Sequence, residues 1–237
     1  MSSAIALLPN SIKCIAFDLD GTLVDSVPDI AAAANAALAD LGYETFSTQS
    51  YRGWIGSGVR MLMCRALATL RPGDEPEDEA LTDRATAAFA EHYSDWNGRL
   101  SQSYPHAEVL LENLRSAGYG LACVTNKPHK FAVDLLEKRG FGDTFSIVLG
   151  GDSLPRPKPD PMPLEWLASE LGLKPQEILL VGDSATDINT AKAAGSPVVA
   201  VSYGYNHGQD LHLLGPTHVI DSLDQLEPLL ARTSECP

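Results

Sequence analysis

The 237-residue chain is poor in the residues that staple small proteins or bind soft metals. It has four cysteines, Cys14, Cys64, Cys123 and Cys236, and none form a CxxC pair. That spacing excludes a zinc knuckle, and a chain of this length needs no disulfide framework to hold a core. Its six histidines are scattered without HxH or HxxxH spacing, which argues against a histidine metal centre. There is no G-x-S-x-G elbow and no Walker A loop. Basic residues are scarce: 17 Lys and Arg stand against 31 Asp and Glu, a formal charge of −14. Polyphosphate and anionic lipid repel such a chain, so neither nucleic acid nor a membrane surface is an expected partner. No apolar run approaches the roughly 20 residues of a membrane span. The first residues, MSSAIALLPNSIK, lack the basic start of a signal peptide. A soluble cytoplasmic protein, monomer or homodimer, is the expectation.

What the chain does have is two kinds of periodicity. An apolar strand, Ile12 to Phe17, is followed by a helical pattern from about Asp25 to Trp96. In that block Ile30, Ala34, Ala37, Leu38 and Leu41 fall on one face, and Val59, Leu62, Met63, Ala66, Leu67 and Leu70 on another. Leu81, Ala85, Ala88, Phe89, Tyr93 and Trp96 form a third stripe, after an acidic loop at 71–79. From Asn97-Gly98 onward helices and strands alternate. Strands are expected at Tyr119–Thr125, Phe145–Gly150, Glu177–Gly182, Pro197–Ser202 and His218–Ile220. ILLVG and PVVAVS are apolar throughout, the mark of parallel strands covered on both faces. Cys14 and Cys123 lie inside such runs as small hydrophobes. The pattern predicts a doubly wound parallel α/β sheet with a helical insertion after its first strand. The expected division is a core of 1–24 and 99–237 and a helical cap of 25–98. The crossings near Gly21–Ser26 and Asn97–Pro105 would then serve as hinges.

Ligands of such sheets bind beyond the carboxyl ends of the strands. Those ends carry Asp18-Leu19-Asp20-Gly21-Thr22, Thr125-Asn126-Lys127, the Arg156–Pro161 loop with Lys158, and Gly182-Asp183-Ser184 running on to Asp187. Residues i and i+2 of extended chain point the same way, so Asp18 and Asp20 can face one pocket. Close carboxylates need a cation among them, and an all-oxygen set without His or Cys favours Mg²⁺. Lys158 supplies positive charge, Thr125 a hydroxyl, and backbone N–H groups near Gly21 and Asn126 suit phosphate oxygens. Together this is equipment for phosphoryl transfer, with Asp18 as nucleophile and Asp20 as acid and base.

D-L-D-G-T-L-V-D-S (18–26), T-N-K-P (125–128), K-P-D-P (158–161) and G-D-S-A-T-D (182–187) resemble, in order, the four motifs of the haloacid dehalogenase-like (HAD) phosphohydrolase superfamily. That resemblance implies a Rossmann-like core with an α-helical cap. Trp54–Gly58, Gly150-Gly151-Asp152 and Tyr203-Gly204-Tyr205-Asn206 are similar, more narrowly, to bacterial phosphoglycolate phosphatases. The resemblance implies Asp18 as nucleophile and metal ligand, Asp20 as acid/base with its backbone carbonyl on Mg²⁺, and Asp183 as the third protein ligand. Thr125, the Asn126 backbone and Lys158 would hold the phosphoryl group, and Asp187 would orient a metal water or Lys158. The dehalogenase branch lacks the acid/base Asp, so Asp20 points to phosphate esters.

The expected function is Mg²⁺-dependent hydrolysis of a small phosphorylated metabolite, 2-phosphoglycolate, through an aspartyl-phosphate. The alternatives are a sugar phosphomutase and a non-catalytic phosphometabolite-binding module. Gly56 and Gly58 permit close backbone approach to substrate. Arg52, Arg60, Lys127 and Arg156 are candidates for a substrate carboxylate, but each reads first as a solvated surface charge. Asp25 and Asp29 read as helix N-terminal acids, and Thr22 as a turn hydroxyl.

Overall fold

A computed structural model of the chain describes residues 8–70 and 78–230. In chain order the elements are β1 (Cys14–Phe17), β2 (Val24–Asp25), α1 (Val27–Asp40), α2 (Thr48–Arg52), α3 (Val59–Leu70), α4 (Glu79–Trp96) and β3 (Gln102–Ser103). They continue as α5 (Ala107–Ser116), β4 (Gly120–Val124), α6 (His129–Lys138), β5 (Ile147–Leu149), α7 (Met162–Leu171) and β6 (Ile178–Gly182). The chain closes with α8 (Ala185–Ala194), β7 (Val198–Val201), β8 (His218–Ile220) and α9 (Leu226–Leu230).

Six parallel strands form one sheet in the order β5-β4-β1-β6-β7-β8. β1 lies between β4 and β6, with Cys14 opposite both Gly120 and Ile178. The chain winds outward from β1 in both directions, so the strand order reverses at β1 and a crevice opens beyond its carboxyl end. Both faces are covered, as the unbroken apolar runs require. Ile15, Phe17, Leu179 and Val181 pack with α5, α6 and α9, whereas Cys14, Ala16, Leu180 and Ala200 pack with α7 and α8. Burial pushes the Cys14 thiol up to about 12 and raises that of Cys123 likewise, so both behave as apolar groups.

Helices α1 to α4 bury a separate apolar cluster that includes Leu38, Tyr51, Met63 and Phe89. Only Phe131 and Tyr205 join it from the sheet side among fully buried residues. No described helix is long and apolar enough to cross a membrane. Residues 71–77 of the acidic loop, and Cys236, lie outside the described residues.

The two crossings into the helical block are tied to each other. β2 and β3 pair antiparallel, Val24 opposite Ser103, a two-residue ladder too short to leave a sequence period. Asp25 therefore stands in a strand rather than at a helix start. Asp29 does occupy the first turn of α1, but its carboxylate is fully buried and its role is larger than that of a helix-end acid. It accepts from the backbone N–H groups of Gly98 (2.8 Å), Leu100 (2.6 Å) and Ser101 (3.2 Å), and from the Ser101 hydroxyl. From α6, Arg139 donates to the carbonyls of Gly98 and Ser101 at 2.8 and 2.6 Å. The segments expected to hinge are thus joined by the β2–β3 ladder, and the return segment is further held by charge-assisted hydrogen bonds from α1 and α6.

Replacing Asp29 by Ala would strand four donors, two of them on buried Ser101. Asp29→Ala is expected to lower unfolding free energy by about 3 kcal/mol, read from the urea midpoint, and Asp29→Asn by less because one acceptor remains.

Candidate active site

β1 delivers Asp18 to the crevice and the backbone turns sharply after it. The Leu19 N–H donates to Asp18 Oδ1 at 2.7 Å, and Leu19 itself is buried. Gly21 adopts φ +89°, and a Cβ there would lie 2.2 Å from Asp183 Oδ2, so the position demands glycine on both counts. The turn carries Thr22 back so that its hydroxyl donates to Asp183 Oδ1 at 3.4 Å. Thr22 thus touches the acidic cluster and is more than a turn residue.

β6 delivers Asp183, and the start of α8 supplies Asp187. Asp187 Oδ2 accepts from the Ser184 N–H (3.2 Å) and the Ser184 hydroxyl (2.6 Å), capping the helix. Its other oxygen accepts from Lys158 Nζ at 2.6 Å. Helix capping and cation holding are therefore both performed, one by each oxygen. Lys158, 4% exposed, also lies 3.0 Å from Asp18 Oδ1.

Carboxylate oxygens of Asp18, Asp183 and Asp187 lie within 4.8 Å of one another, and all three residues are buried. This is a hard, all-oxygen donor set of the kind that suits a small divalent cation. The Asp20 side chain is not part of the cluster. It accepts from Lys127 Nζ at 2.9 and 3.1 Å and from the Ser26 hydroxyl at 2.6 Å. The carboxylates that do gather are those of Asp18, Asp183 and Asp187, with Asp187 in the place where the sequence reading put Asp20 among the candidate ligands.

Thr125 and Asn126 stand at the end of β4. Thr125 Oγ1 accepts from the Lys127 N–H at 3.2 Å and lines the cavity. The Asn126 side chain donates to Lys158 O (2.9 Å) and to Gly56 O (3.3 Å), linking the lysine loop to the helical block. Gly56 and Gly58, at φ +112° and +85°, line the same cavity. The wall facing the carboxylates comes from Ile30, Ile55, Leu62 and Phe89. Gly150 and Gly151 are packing requirements. A Cβ would lie 2.3 Å from His129 N at the first and 2.5 Å from Asn126 O at the second.

Two residues are engaged beyond what the sequence assigned them: Lys127, a candidate for a substrate carboxylate read first as a surface charge, and Tyr205, noted only within a motif. Lys127, read as a surface charge, is 6% exposed and donates to the Tyr93 hydroxyl of α4 at 2.6 Å. A lone lysine beside an asparagine carries no signal of burial. Tyr205 donates its N–H to Asp183 Oδ2, while its hydroxyl accepts from the Ser26 N–H (2.9 Å) and donates to Asp25 Oδ1 (2.8 Å). One residue thus touches both the acidic cluster and the start of the helical block. Gly204 lets that segment approach, since a Cβ there would sit 2.3 Å from Asp183 Cβ. The remaining three cations are paired elsewhere, Arg52 with Asp25 (2.6 Å), Arg60 with Asp83 (3.2 Å) and Arg156 with Asp160 (3.1 Å).

Burial pushes the Asp18 carboxyl up to about 6 against the pull of Lys158, and Asp187 adds to the rise. Asp183 is raised by burial and by the charges of Asp187 and Asp18. For Lys158 burial acts downward, but Asp18 and Asp187 outweigh it and keep the ammonium charged. Between the ordinary carboxylate range and pH 6 the folded chain thus holds a proton on Asp18 that the unfolded chain does not. That group's contribution to stability falls as pH rises through this window. In EDTA, Asp18→Asn is therefore expected to raise Tm by several degrees at pH 7.5, with the gain shrinking toward pH 5. Adding a divalent cation at pH 7.5 is expected to raise the wild-type Tm more than the variant's.

A family model for haloacid dehalogenase-like hydrolases matches residues 15–201. The phosphoglycolate phosphatase of Vibrio cholerae is 45% identical over 219 residues, 91% of this chain and 96% of that protein. That of Vibrio parahaemolyticus is 43% identical over 220 residues, 93% of this chain and 96% of that protein. Among solved structures, a predicted phosphoglycolate phosphatase from Haemophilus somnus superposes with a TM-score of 0.88. It is 37% identical, with 93% of this chain and 99% of that chain covered. An acidic cluster with a buried lysine at the reversal point of a parallel sheet, inside a match of this extent, has one reading: the chain belongs to the haloacid dehalogenase-like hydrolase family and is a phosphatase.

Proposed function

We propose that the chain is a Mg²⁺-dependent phosphomonoesterase that hydrolyses 2-phosphoglycolate through an aspartyl-phosphate on Asp18. The observation that carries this is the Lys158 ammonium held between Asp18 and Asp187 beside Asp183. A carboxylate attacks an anionic phosphate ester only where positive charge meets the oxygens of both. The donor set fits Mg²⁺, with Asp18, Asp183 and the Asp20 carbonyl as its protein ligands. When bound, the ion screens the phosphoryl oxygens from the carboxylates.

In the first half-reaction an Asp18 oxygen attacks phosphorus, the Asp18–phosphorus bond forms and the ester P–O bond breaks. Asp20 gives its proton to the departing oxygen. The Thr125 hydroxyl, the Asn126 N–H and Lys158 hold the transferring group. In the second, Asp20 takes a proton from water as that water attacks phosphorus, releasing inorganic phosphate and the Asp18 carboxylate. Asp187 keeps Lys158 in place through its 2.6 Å contact. Residues 25–98 act as a cap over a core of 1–24 and 99–237. The apolar wall of Ile30, Ile55 and Leu62 excludes water during transfer. The substrate assignment is supported by the names of the relatives above.

Asp18→Asn is expected to lower kcat on p-nitrophenyl phosphate by about 10³-fold or more. EDTA is expected to abolish turnover and Mg²⁺ to restore it. Asp20→Asn should penalise alkyl phosphates more than p-nitrophenyl phosphate, whose leaving group needs little protonation. Near-full activity in Asp18→Asn overturns the nucleophile, and a preference for hexose or nucleotide phosphates in a metabolite panel overturns the substrate.

A further inference from the structure

We infer that Lys127, together with the Tyr93 hydroxyl, receives the carboxylate of the leaving group and thereby frees Asp20 to protonate the ester oxygen. This rests on the reading of the substrate as 2-phosphoglycolate.

The leaving group of that ester is a two-carbon acid anion. The cavity that must hold it is walled on the helical side by Ile30, Ile55, Leu62 and Phe89, where a carboxylate left unpaired would be costly. Among the described residues lining the cavity, two carry positive charge, Lys158 and Lys127. Lys158 is committed to Asp18, Asp187 and the phosphoryl group. Arg52, Arg60 and Arg156 do not line the cavity. Lys127 is therefore the cation in position for a second anionic group.

The reach agrees. To act as acid, Asp20 must lie about 3 Å from the ester oxygen. Its carboxylate oxygens are 2.9 and 3.1 Å from Lys127 Nζ. The ester oxygen therefore falls within about 6 Å of that ammonium, since the two hydrogen-bond lengths add. A single methylene separates the ester oxygen from the carboxylate in 2-phosphoglycolate, and this bridges such a gap.

The charge balance also agrees. An ammonium has three donors. In this structure Lys127 spends them on Asp20 and on the Tyr93 hydroxyl at 2.6 Å. A substrate carboxylate replaces the Asp20 carboxylate at the ammonium, and Asp20, released from its cation, takes up a proton from solvent, so no buried charge is left alone. Asp20 then turns its proton to the ester oxygen. An ester with an uncharged leaving group cannot make this exchange and leaves Asp20 bound to Lys127. Specificity and acid catalysis are thus linked through one residue, which lies on the sheet side at the end of β4, while Tyr93 reaches it from α4.

The test compares kcat/KM for 2-phosphoglycolate and for ethyl phosphate, which has the same chain length and no carboxylate. Lys127→Met is expected to lower activity on both, but to reduce the ratio of the two at least tenfold, with a rise in KM for 2-phosphoglycolate. Tyr93→Phe, which keeps the ring and loses only the hydroxyl, is expected to reduce the ratio about threefold. An equal loss on both esters in Lys127→Met overturns the inference, because Lys127 then acts only by positioning Asp20. If Lys127→Met does not fold, an unchanged ratio in Tyr93→Phe overturns it. A wild-type enzyme with no preference for 2-phosphoglycolate over ethyl phosphate overturns both this inference and the substrate reading, and shows this before any substitution is made.

Discussion

Three carboxylates, Asp18, Asp183 and Asp187, are buried within 4.8 Å of one another, and two of them, Asp18 and Asp187, share one lysine. Unit charges 4 Å apart interact by about 4 kcal/mol at an effective dielectric near 20, so the cluster would not survive folding uncompensated. Lys158 offsets part of that repulsion and fixes its own position in doing so, since Asp18 and Asp187 grip it from two sides. Lys158 brings one positive charge to three carboxylates, an all-oxygen set of the kind that suits a divalent cation. The neighbouring glycines follow from the same crowding. At Gly21, Gly182 and Gly204 a Cβ would collide with Asp183 or Asp187. A cluster this dense can be assembled only where the backbone itself passes within contact distance of the carboxylates.

A second buried charge lies at the junction with the helical block. Asp20, Lys127 and Tyr93 form a chain from the end of β1, through the end of β4, to α4. Tyr205 makes a parallel link, with its N–H on Asp183 and its hydroxyl at the entry to α1. The helical block is therefore connected to the chemistry by polar groups as well as by the apolar contacts of Phe131 and Tyr205. The two crossings pair through β2 and β3, and Asp29 from α1 and Arg139 from α6 both hold the return crossing, which limits movement there to motions that keep these bonds. The arrangement places Asp20, the cation beside it and the apolar wall of Ile30, Ile55, Leu62 and Phe89 in one connected unit.

Much of this was legible in the chain itself. Unbroken apolar runs at β6 and β7 announced a two-sided parallel sheet, because alternation disappears when both faces are covered. The positions of Asp18, Thr125 and Asp183 at strand ends, and of Lys158 in the loop beyond one, placed them at one edge, because parallel strands all end on the same side. Gly150, Gly151 and Gly204 were visible as pattern but not as cause. Their necessity is a matter of which backbone atoms lie opposite them, and those come from distant parts of the chain.

What composition, periodicity and spacing determined was the sheet, the insertion and the gathering of carboxylates, hydroxyl and lysine, since each depends on local order along the chain. Only the tertiary structure decided how charges are paired: that Asp20 faces Lys127 rather than the acidic cluster, that Asp29 binds the returning chain, and that Lys127 is buried at all. Pairing and burial are set by neighbours 34 to 107 residues away in sequence. No local pattern encodes a contact whose two halves meet only after the sheet has closed.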